Sequence, residues 1–258
     1  MFSIMTSAAS GLESQNYWLN AVATNTANNQ TPGFGRRVTM IASASGNTIR
    51  SAGTIVGRQV IQPSLGVTSG AYLAQDSPIF SNQFISTSNA HDVAIVGNGF
   101  LAVKTGNGTV AYTRAGLLQQ DSQGHLVVPG GYLLQPPVNI PLGASWNITS
   151  GGKVMAALPG QNARQVGQLK LALIPNPGGL NALGQNLYGL TPAAGTPVMT
   201  NPGQNGAQLL QPSALNTSGV NMASAMTDMI QAQQAYQMNA KMLAVSQSLD
   251  KGLSQIVT

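Results

Sequence analysis

The two ends of this chain carry the same pattern, and the middle does not share it. Within residues 5–30, Met5, Ala8, Leu12, Leu19, Val22 and Thr26 fall at spacings of three and four, with Gln15 filling the series. That repeat lines one face of a helix. Residues 221–258 do the same with Met222, Met226, Met229, Tyr236, Ala240 and Leu243, with polar Gln233 inside the series. Leu249, Leu253 and Ile256 continue it after a small phase shift, as a 3.6-residue helix requires. Pro32 and Gly33 stop the first helix near Gln30. Asn221 can cap the second, because its side-chain oxygen can accept from free amides of the first turn. At 1.5 Å per residue the second helix is roughly 50 Å long. Neither helix can bury its stripe alone. The predicted fold class is therefore α+β, with long N- and C-terminal helices paired in a coiled-coil-like way and an antiparallel β-rich domain inserted between them.

The other faces of these helices are nearly uncharged. The first has Glu13; the last has Asp228, Lys241, Asp250 and Lys251. A solvated helix face normally carries many more charges, often as i,i+4 pairs. Small and neutral polar side chains allow close packing without desolvating a charge, so few faces of these helices are expected to stay in water. The whole chain agrees: 7% of its residues are charged, against about 25% in ordinary globular chains. A net charge of +5 comes from eleven basic residues spread along the sequence, with only Arg36 and Arg37 adjacent. No basic stripe is interleaved with aromatics, which argues against nucleic acid as a partner. No window is apolar enough for a membrane-spanning helix, and the first residues lack the basic segment and apolar core of a cleaved signal peptide. Cysteine is absent, so there is no disulfide framework, thiol nucleophile or cysteine metal site.

The middle divides in two. Residues 35–75 read as extended connector and hairpin, with Thr54-Ile55-Val56 and Arg58-Gln59-Val60-Ile61 as short β-prone runs. Residues 76–212 read as a β-rich outer domain. The runs 93–96, 100–103 and 109–113 are separated by Gly97-Asn98-Gly99 and Gly106-Asn107-Gly108, each a hairpin-turn signal. Asp121-Ser122-Gln123-Gly124 precedes a further strand at 125–128, and residues 168–174 form another, closed by Pro175. Residues 1–34 and 213–258 together make the discontinuous helical domain.

Several stretches, in order along the chain, resemble one family. They are the run from Asn25 to Phe34, the run Asp92-Val93-Ala94-Ile95-Val96-Gly97-Asn98-Gly99-Phe100, and Tyr112-Thr113-Arg114-Ala115-Gly116 followed by residues 121–127. Gly184-Gln185-Asn186-Leu187-Tyr188, the approach Leu215-Asn216-Thr217-Ser218-Gly219-Val220 and residues 229–241 complete the series. Together they resemble the bacterial flagellar rod and hook proteins. Thr26 stands where that family usually has Leu, Ala115 replaces an acidic residue, and Gln234 and Gln237 replace an Arg and a Glu. The long connector from Phe34 to Asp92 is similar to that of the distal rod members. A proximal rod subunit is the second reading, and hook proteins are generally larger.

The resemblance implies a structural subunit that polymerises helically and carries torque, exported without a cleaved signal and located where the rod crosses the periplasm. It implies copies of itself, proximal rod, hook and junction subunits, and the surrounding bushing rings as partners, with no cofactor and no small-molecule substrate. The residues expected at assembly contacts are Met5, Leu12, Leu19, Val22, Asn25, Asn28, Gly33, Phe34, Met226, Met229, Tyr236, Ala240 and Leu243.

Other classes have thin support. Ser150-Gly151-Gly152-Lys153 and Lys104-Thr105-Gly106 fit motifs of penicillin-recognising enzymes, but in reversed chain order, and Ser150 sits in a glycine turn. A serine hydrolase using Ser150 and Lys153 is therefore the enzyme alternative. His91 and His125 are the only histidines for a triad. Glu13, Asp76, Asp92, Asp121, Asp228 and Asp250 are scattered, a poor basis for glycoside hydrolysis or a calcium loop. Gly97-Asn98-Gly99 lacks the third glycine of a nucleotide loop. A secreted β-rich adhesin would explain the composition but not the helical ends.

Overall fold

The computed structural model describes residues 2–50, 55–56, 59–60, 65–68, 70–204 and 206–257. A helix stands at each end, α1 (Phe2–Ala27) and α2 (Met222–Val257), and the chain between them forms strands and two short 3-10 turns. The chain divides into two compact units. One comprises Met1–Thr24, Val38–Asp76 and Met222–Thr258; the other comprises Asn25–Arg37 and Ser77–Asn221.

In the first unit, α1 buries Ala8, Ser14, Ala21 and Val22, and α2 buries Ala225, Ala232 and Ser246. These inward faces are made of small side chains, which let neighbouring elements come close. A Cβ on Gly11 would lie 2.9 Å from Asn239 Nδ2. Ser10 Oγ donates to the Ser7 carbonyl and accepts from the Ala71 amide at 3.2 Å, fixing the start of strand Ala71–Ile79 on α1. That strand pairs with Arg36–Ser43. Gly46–Arg50 pairs with Leu65–Thr68, and Ile55–Val56 with Gln59–Val60. The short runs expected at 54–56 and 58–61 thus contain a small ladder, while Thr54, Arg58 and Ile61 lie outside the described residues.

The expectation of long, coiled-coil-like paired helices is not met. Among the described residues α1 and α2 are the only α-helices. A coiled coil needs large apolar knobs at successive a and d positions facing the partner. In α2 those side chains are elsewhere: Met226, Ile230, Met238, Met242, Val245 and Leu249 are exposed, while Ala225, Ala232 and Ser246 are inside. The mixed α and β content holds, but β-structure dominates the body.

The second unit is built on a nine-stranded antiparallel sheet. Its main path runs Gln119–Gln120, Leu126–Val128, Tyr132–Gln135, Gly99–Lys104, Val110–Thr113, Leu187–Gly189, Asn181–Gly184, and Leu171–Leu173 with Val198–Thr200 branches from Gly99–Lys104. Strand Gly99–Lys104 is apolar at successive positions because both its faces are covered, the situation that erases simple alternation. Leu101 and Val103 point into one core with Trp146, Ile148 and Val154. Phe100 and Ala102 point into a second core with Tyr112, Ala172, Ile174 and Tyr188. A three-stranded sheet, Ser145–Ile148, Lys153–Ala157 and Arg164–Gln168, carries Trp146, Ile148, Val154 and Ala156 to the first core.

The hairpin expected at Gly106-Asn107-Gly108 is present, with Val110 opposite Lys104. The one expected at Gly97-Asn98-Gly99 is not. Strand Val93–Ile95 pairs instead with Leu210–Pro212, and Gly99 pairs with Leu173. The carbonyls of Ile95 and Gly97 are taken by the Arg114 guanidinium, so this turn is closed by a side chain and not by a strand ladder. The single strand expected over 168–174 is split into Arg164–Gln168 and Leu171–Leu173, which lie in different sheets.

Candidate functional site

In the second unit the segment after α1 meets the segment before α2. Pro32 and Gly33 end the helical run, and Gly33 turns at φ +68°, a conformation that a side chain resists. A Cβ there would lie 2.3 Å from the Arg114 carbonyl oxygen, so the backbones touch at a distance only glycine permits. The Gly33 amide donates to the Asn216 carbonyl at 2.9 Å. Asn186 Nδ2 donates to the Pro32 carbonyl at 2.8 Å, and the Gly35 amide donates to the Tyr188 hydroxyl at 2.9 Å. Ser218 Oγ donates to the Asn29 carbonyl. Asn25 closes the near side: its Oδ1 accepts from the Arg37 amide and its Nδ2 donates to the Arg37 carbonyl, both at 2.8 Å. Residues that immediately follow α1 and immediately precede α2 are thus held to one another and to the β body.

Arg114 underlies this clasp. It is buried, and its Nη2 donates to Asn82 Oδ1 and to the carbonyls of Ile95 and Gly97. Its guanidinium carbon lies 5.7 Å from the ring centres of both Phe80 and Phe100, a favourable place for a planar cation. Among the described residues it makes no ion pair with a carboxylate. Burial of the charge lowers its pKa to about 10, since desolvation disfavours the charged form. The Tyr188 phenol is pushed above its ordinary value, chiefly by burial, with the Gly35 amide and Arg37 pulling the other way. It stands edge-on to Phe80, ring centres 5.0 Å apart.

The residues expected at assembly contacts fall into three groups. Val22, Asn25, Gly33 and Phe34 are buried within the chain. Met5, Leu12, Leu19, Asn28, Met229, Ala240 and Leu243 are half-buried. Met226 and Tyr236 are exposed. Sequence reasoning missed Asn186, Tyr188, Asn216 and Ser218 as partners of the signature run. Each stands in a stretch quoted for the family resemblance, but no spacing along the chain links residue 33 to residue 216. It placed Leu249 in the stripe but missed Met238, Met242 and Val245 on the same face; all four are more than half exposed. Their i, i+4, i+7, i+11 spacing was the available signal.

The enzyme candidates are not assembled into a site. Ser150 is exposed in a tight turn closed by the Thr149 amide on the Lys153 carbonyl, and its own carbonyl accepts from Leu210. Lys153 and Lys104 are exposed. His91 stacks on Trp146 with ring centres 3.9 Å apart. His125 lies 3.4 Å from the Asp121 carboxylate, which also accepts from the Gln123 and His125 amides and is held below its ordinary pKa by these bonds. The carboxylate of buried Asp92 is taken up by Thr87 and Asn89. Among the described residues no group of three or more His, Cys, Asp or Glu side chains could hold a metal ion, and no helix is long and apolar enough to cross a membrane.

Residues 94–156 match the family described as flagellar hook protein FlgE/F/G D1 domain, and residues 211–256 match the flagellar basal body rod FlgEFG protein C-terminal family. These two regions contain Arg114 and Asn216 of the clasp. The chain is 38% identical over 250 residues to the flagellar basal-body rod protein FlgG of Buchnera aphidicola subsp. Schizaphis graminum, covering 95% of this chain and 96% of that protein. It is 34% identical over 261 residues to FlgG of Caulobacter vibrioides, covering 96% and 97%. It is 30% identical over 244 residues to the rod protein FlgF of Escherichia coli, covering 92% and 91%. The chain belongs to the flagellar basal-body rod protein family, a family of structural proteins and not of enzymes, and within it resembles FlgG, the distal rod protein.

Proposed function

We propose that this chain polymerises with copies of itself into the distal rod, the shaft that carries torque across the periplasm to the hook. The observation that carries this reading is the apolar face of α2. Met238, Met242, Val245 and Leu249 stand in water in the single chain, on a helix whose other positions are mostly Ala, Gln and Ser. A continuous exposed apolar face of this kind is a contact surface. Met5, Leu12, Leu19, Met226, Met229, Tyr236, Ala240 and Leu243 extend the contact set. Val22, Asn25, Asn28, Gly33 and Phe34 support it from within the chain. Heterologous contacts that do not close on themselves build a helical polymer, and torque then passes through many repeated contacts. Proximal rod, hook and junction subunits, and the bushing rings around the shaft, are the neighbours this position implies.

The test is the double substitution Met238→Asp, Val245→Asp. It places two charges where a neighbour must cover them. Filaments assembled from the purified protein, seen by electron microscopy, are expected to disappear while the β signal in circular dichroism is kept. Normal filaments from the variant would overturn the assignment of this face.

A further inference from the structure

The chain contains no cysteine, so its methionines hold all of its sulfur. Among the described residues Met40, Met199, Met226, Met238 and Met242 are exposed, while Met5, Met155, Met222 and Met229 are half-buried. Met238 is 66% exposed, more than any other large apolar side chain described, and Met242 is 57% exposed. These two stand four residues apart on α2, which sets their Cβ atoms about 5–6 Å from each other. At 3.6 residues per turn, Met238, Met242, Val245 and Leu249 span about 60° of the helix circumference, and the inward residues Ala225, Ala232 and Ser246 span a second arc centred about 100° away. Met226 lies about 120° around the helix from Met238, and Met40 and Met199 stand on strands of different sheets. Met238 and Met242 are thus a pair of open thioethers on one outward face, apart from the face that α2 buries.

We propose that Met238 and Met242 form a reversible oxidation site that decides whether this face can join a neighbour. The oxidant is hydrogen peroxide. A thioether lone pair attacks one peroxide oxygen and the O–O bond breaks. Sulfur keeps that oxygen and gives up two electrons, and the other oxygen leaves as water. Peroxide must reach the sulfur, so the exposed thioethers react first. The product is a polar, chiral side chain in place of a flexible apolar one. Its oxygen is a strong acceptor that water satisfies while the face is open. None of the four side chains on this stripe donates a hydrogen bond, so covering the face strips that water away without replacement, and the contact loses free energy. Two sulfoxides on adjacent turns repeat the loss within one patch. Reduction by a dithiol-driven sulfoxide reductase reverses the step: two electrons return to sulfur, the oxygen leaves as water, and the dithiol becomes a disulfide. The buried arc of α2 takes no part, so the single chain stays folded in either state. The proposal rests on the reading of this stripe as a contact between copies of the chain.

The experiment treats the purified, unassembled full-length chain with hydrogen peroxide until peptide mass spectrometry finds sulfoxide at Met238 and Met242, then removes the peroxide. Sulfoxide is expected at these two positions before Met155 and Met229. The circular dichroism spectrum is expected to be kept, while filament yield at fixed protein concentration falls at least about tenfold. Incubation with both epimer-specific sulfoxide reductases and dithiothreitol is expected to restore assembly. The variant M238L/M242L keeps the apolar volume and has no sulfur on the stripe, so it is expected to assemble before and after peroxide. The variant M40L/M199L/M226L is expected to remain as sensitive as the parent. Normal filaments from the oxidised parent would overturn the proposal and leave the contact reading standing, whereas no filaments from the untreated parent would overturn both. Equal sensitivity of M238L/M242L and the parent would overturn it as well. So would a failure of assembly to return once mass spectrometry shows both sulfoxides reduced, a readout that needs no variant.

Discussion

Asn216 takes over both backbone groups of Ile95, accepting from its amide at 2.8 Å through Oδ1 and donating to its carbonyl at 2.9 Å through Nδ2. The Asn216 carbonyl meanwhile receives the Gly33 amide. The Ile95 carbonyl is shared with Arg114 Nη2 at 3.1 Å. One amide side chain therefore joins the run after α1, the strand Val93–Ile95 and the run before α2. Only a side chain with a donor and an acceptor on the same planar end can make this pair.

Replacing Asn216 by Ala should leave the buried Ile95 amide without a partner and remove one of two donors from its carbonyl. A cost of about 2–4 kcal/mol is expected, two buried hydrogen bonds with one group left unsatisfied. Asn216→Asp keeps the shape but turns the donor into a second acceptor facing a carbonyl, and should be at least as damaging. Urea unfolding followed by circular dichroism measures both. An unchanged midpoint in either variant would show that the pair does not hold the segments together.

Gly33 and Gly108 separate backbone strain from close approach. Both have positive φ, +68° and +81°, but a Cβ on Gly33 would meet the Arg114 carbonyl oxygen at 2.3 Å while one on Gly108 would meet nothing within 4 Å. Gly108→Ala should cost only the left-handed backbone, about 1–2 kcal/mol. Gly33→Ala bears the same strain and must also push two backbones apart, so it should cost clearly more. Equal midpoints for the two variants would remove the close approach from the account of the clasp.

Tyr188 makes the clasp sensitive to alkali. Its phenol is raised above the ordinary value of 10.0 by burial, so the folded chain holds this proton when the unfolded chain has begun to lose it. A raised acid contributes stability that is fully present below pH 10 and declines as pH climbs through the folded value. The parent protein should therefore lose stability above about pH 10 more steeply than Tyr188→Phe. Arg114 acts in the opposite direction in the same range, because its lowered pKa lets the folded chain shed a proton earlier. The comparison of parent and Tyr188→Phe cancels that contribution. Parallel pH profiles for the two proteins would show that the phenol does not couple to folding.

Much of this architecture was readable along the chain, and the unreadable part has physical causes. Helix α2 begins at Met222, directly after the proposed cap Asn221, and the Gly106-Asn107-Gly108 hairpin forms where its turn chemistry places it. These are local signals. The Gly97-Asn98-Gly99 turn carries the same signal, yet Arg114, just after strand Val110–Thr113, captures the carbonyls of Ile95 and Gly97. The helix faces misled because Met and Tyr were weighted as interior, whereas close packing selected Ala225, Ala232 and Ser246. Of the clasp, Asn25, Gly33 and Phe34 stood in a recognisable run. Asn186, the partner of Pro32, Tyr188, the partner of Gly35, and Asn216, the partner of Gly33, are each more than 150 residues away in sequence, and one-dimensional periodicity has no access to pairs of that separation.

Gly11 offers a test in which two opposing effects can be weighed. It lies inside α1, where glycine costs about 1 kcal/mol relative to alanine. An added Cβ would stand 2.9 Å from Asn239 Nδ2, too close, but that atom is the end of a half-buried side chain and can swing aside. Gly11→Ala should therefore be close to neutral, the gain in helix propensity offsetting a small displacement of Asn239. Gly11→Leu cannot be absorbed in this way, because three further carbons exceed what one rotamer change can clear, and overpacking of this kind typically costs about 1–3 kcal/mol. Thermal unfolding of the two variants should give a midpoint near that of the parent for Gly11→Ala and a clear fall for Gly11→Leu. A Gly11→Leu protein as stable as the parent would show that the small inward face of α1 is not needed for its packing in this unit.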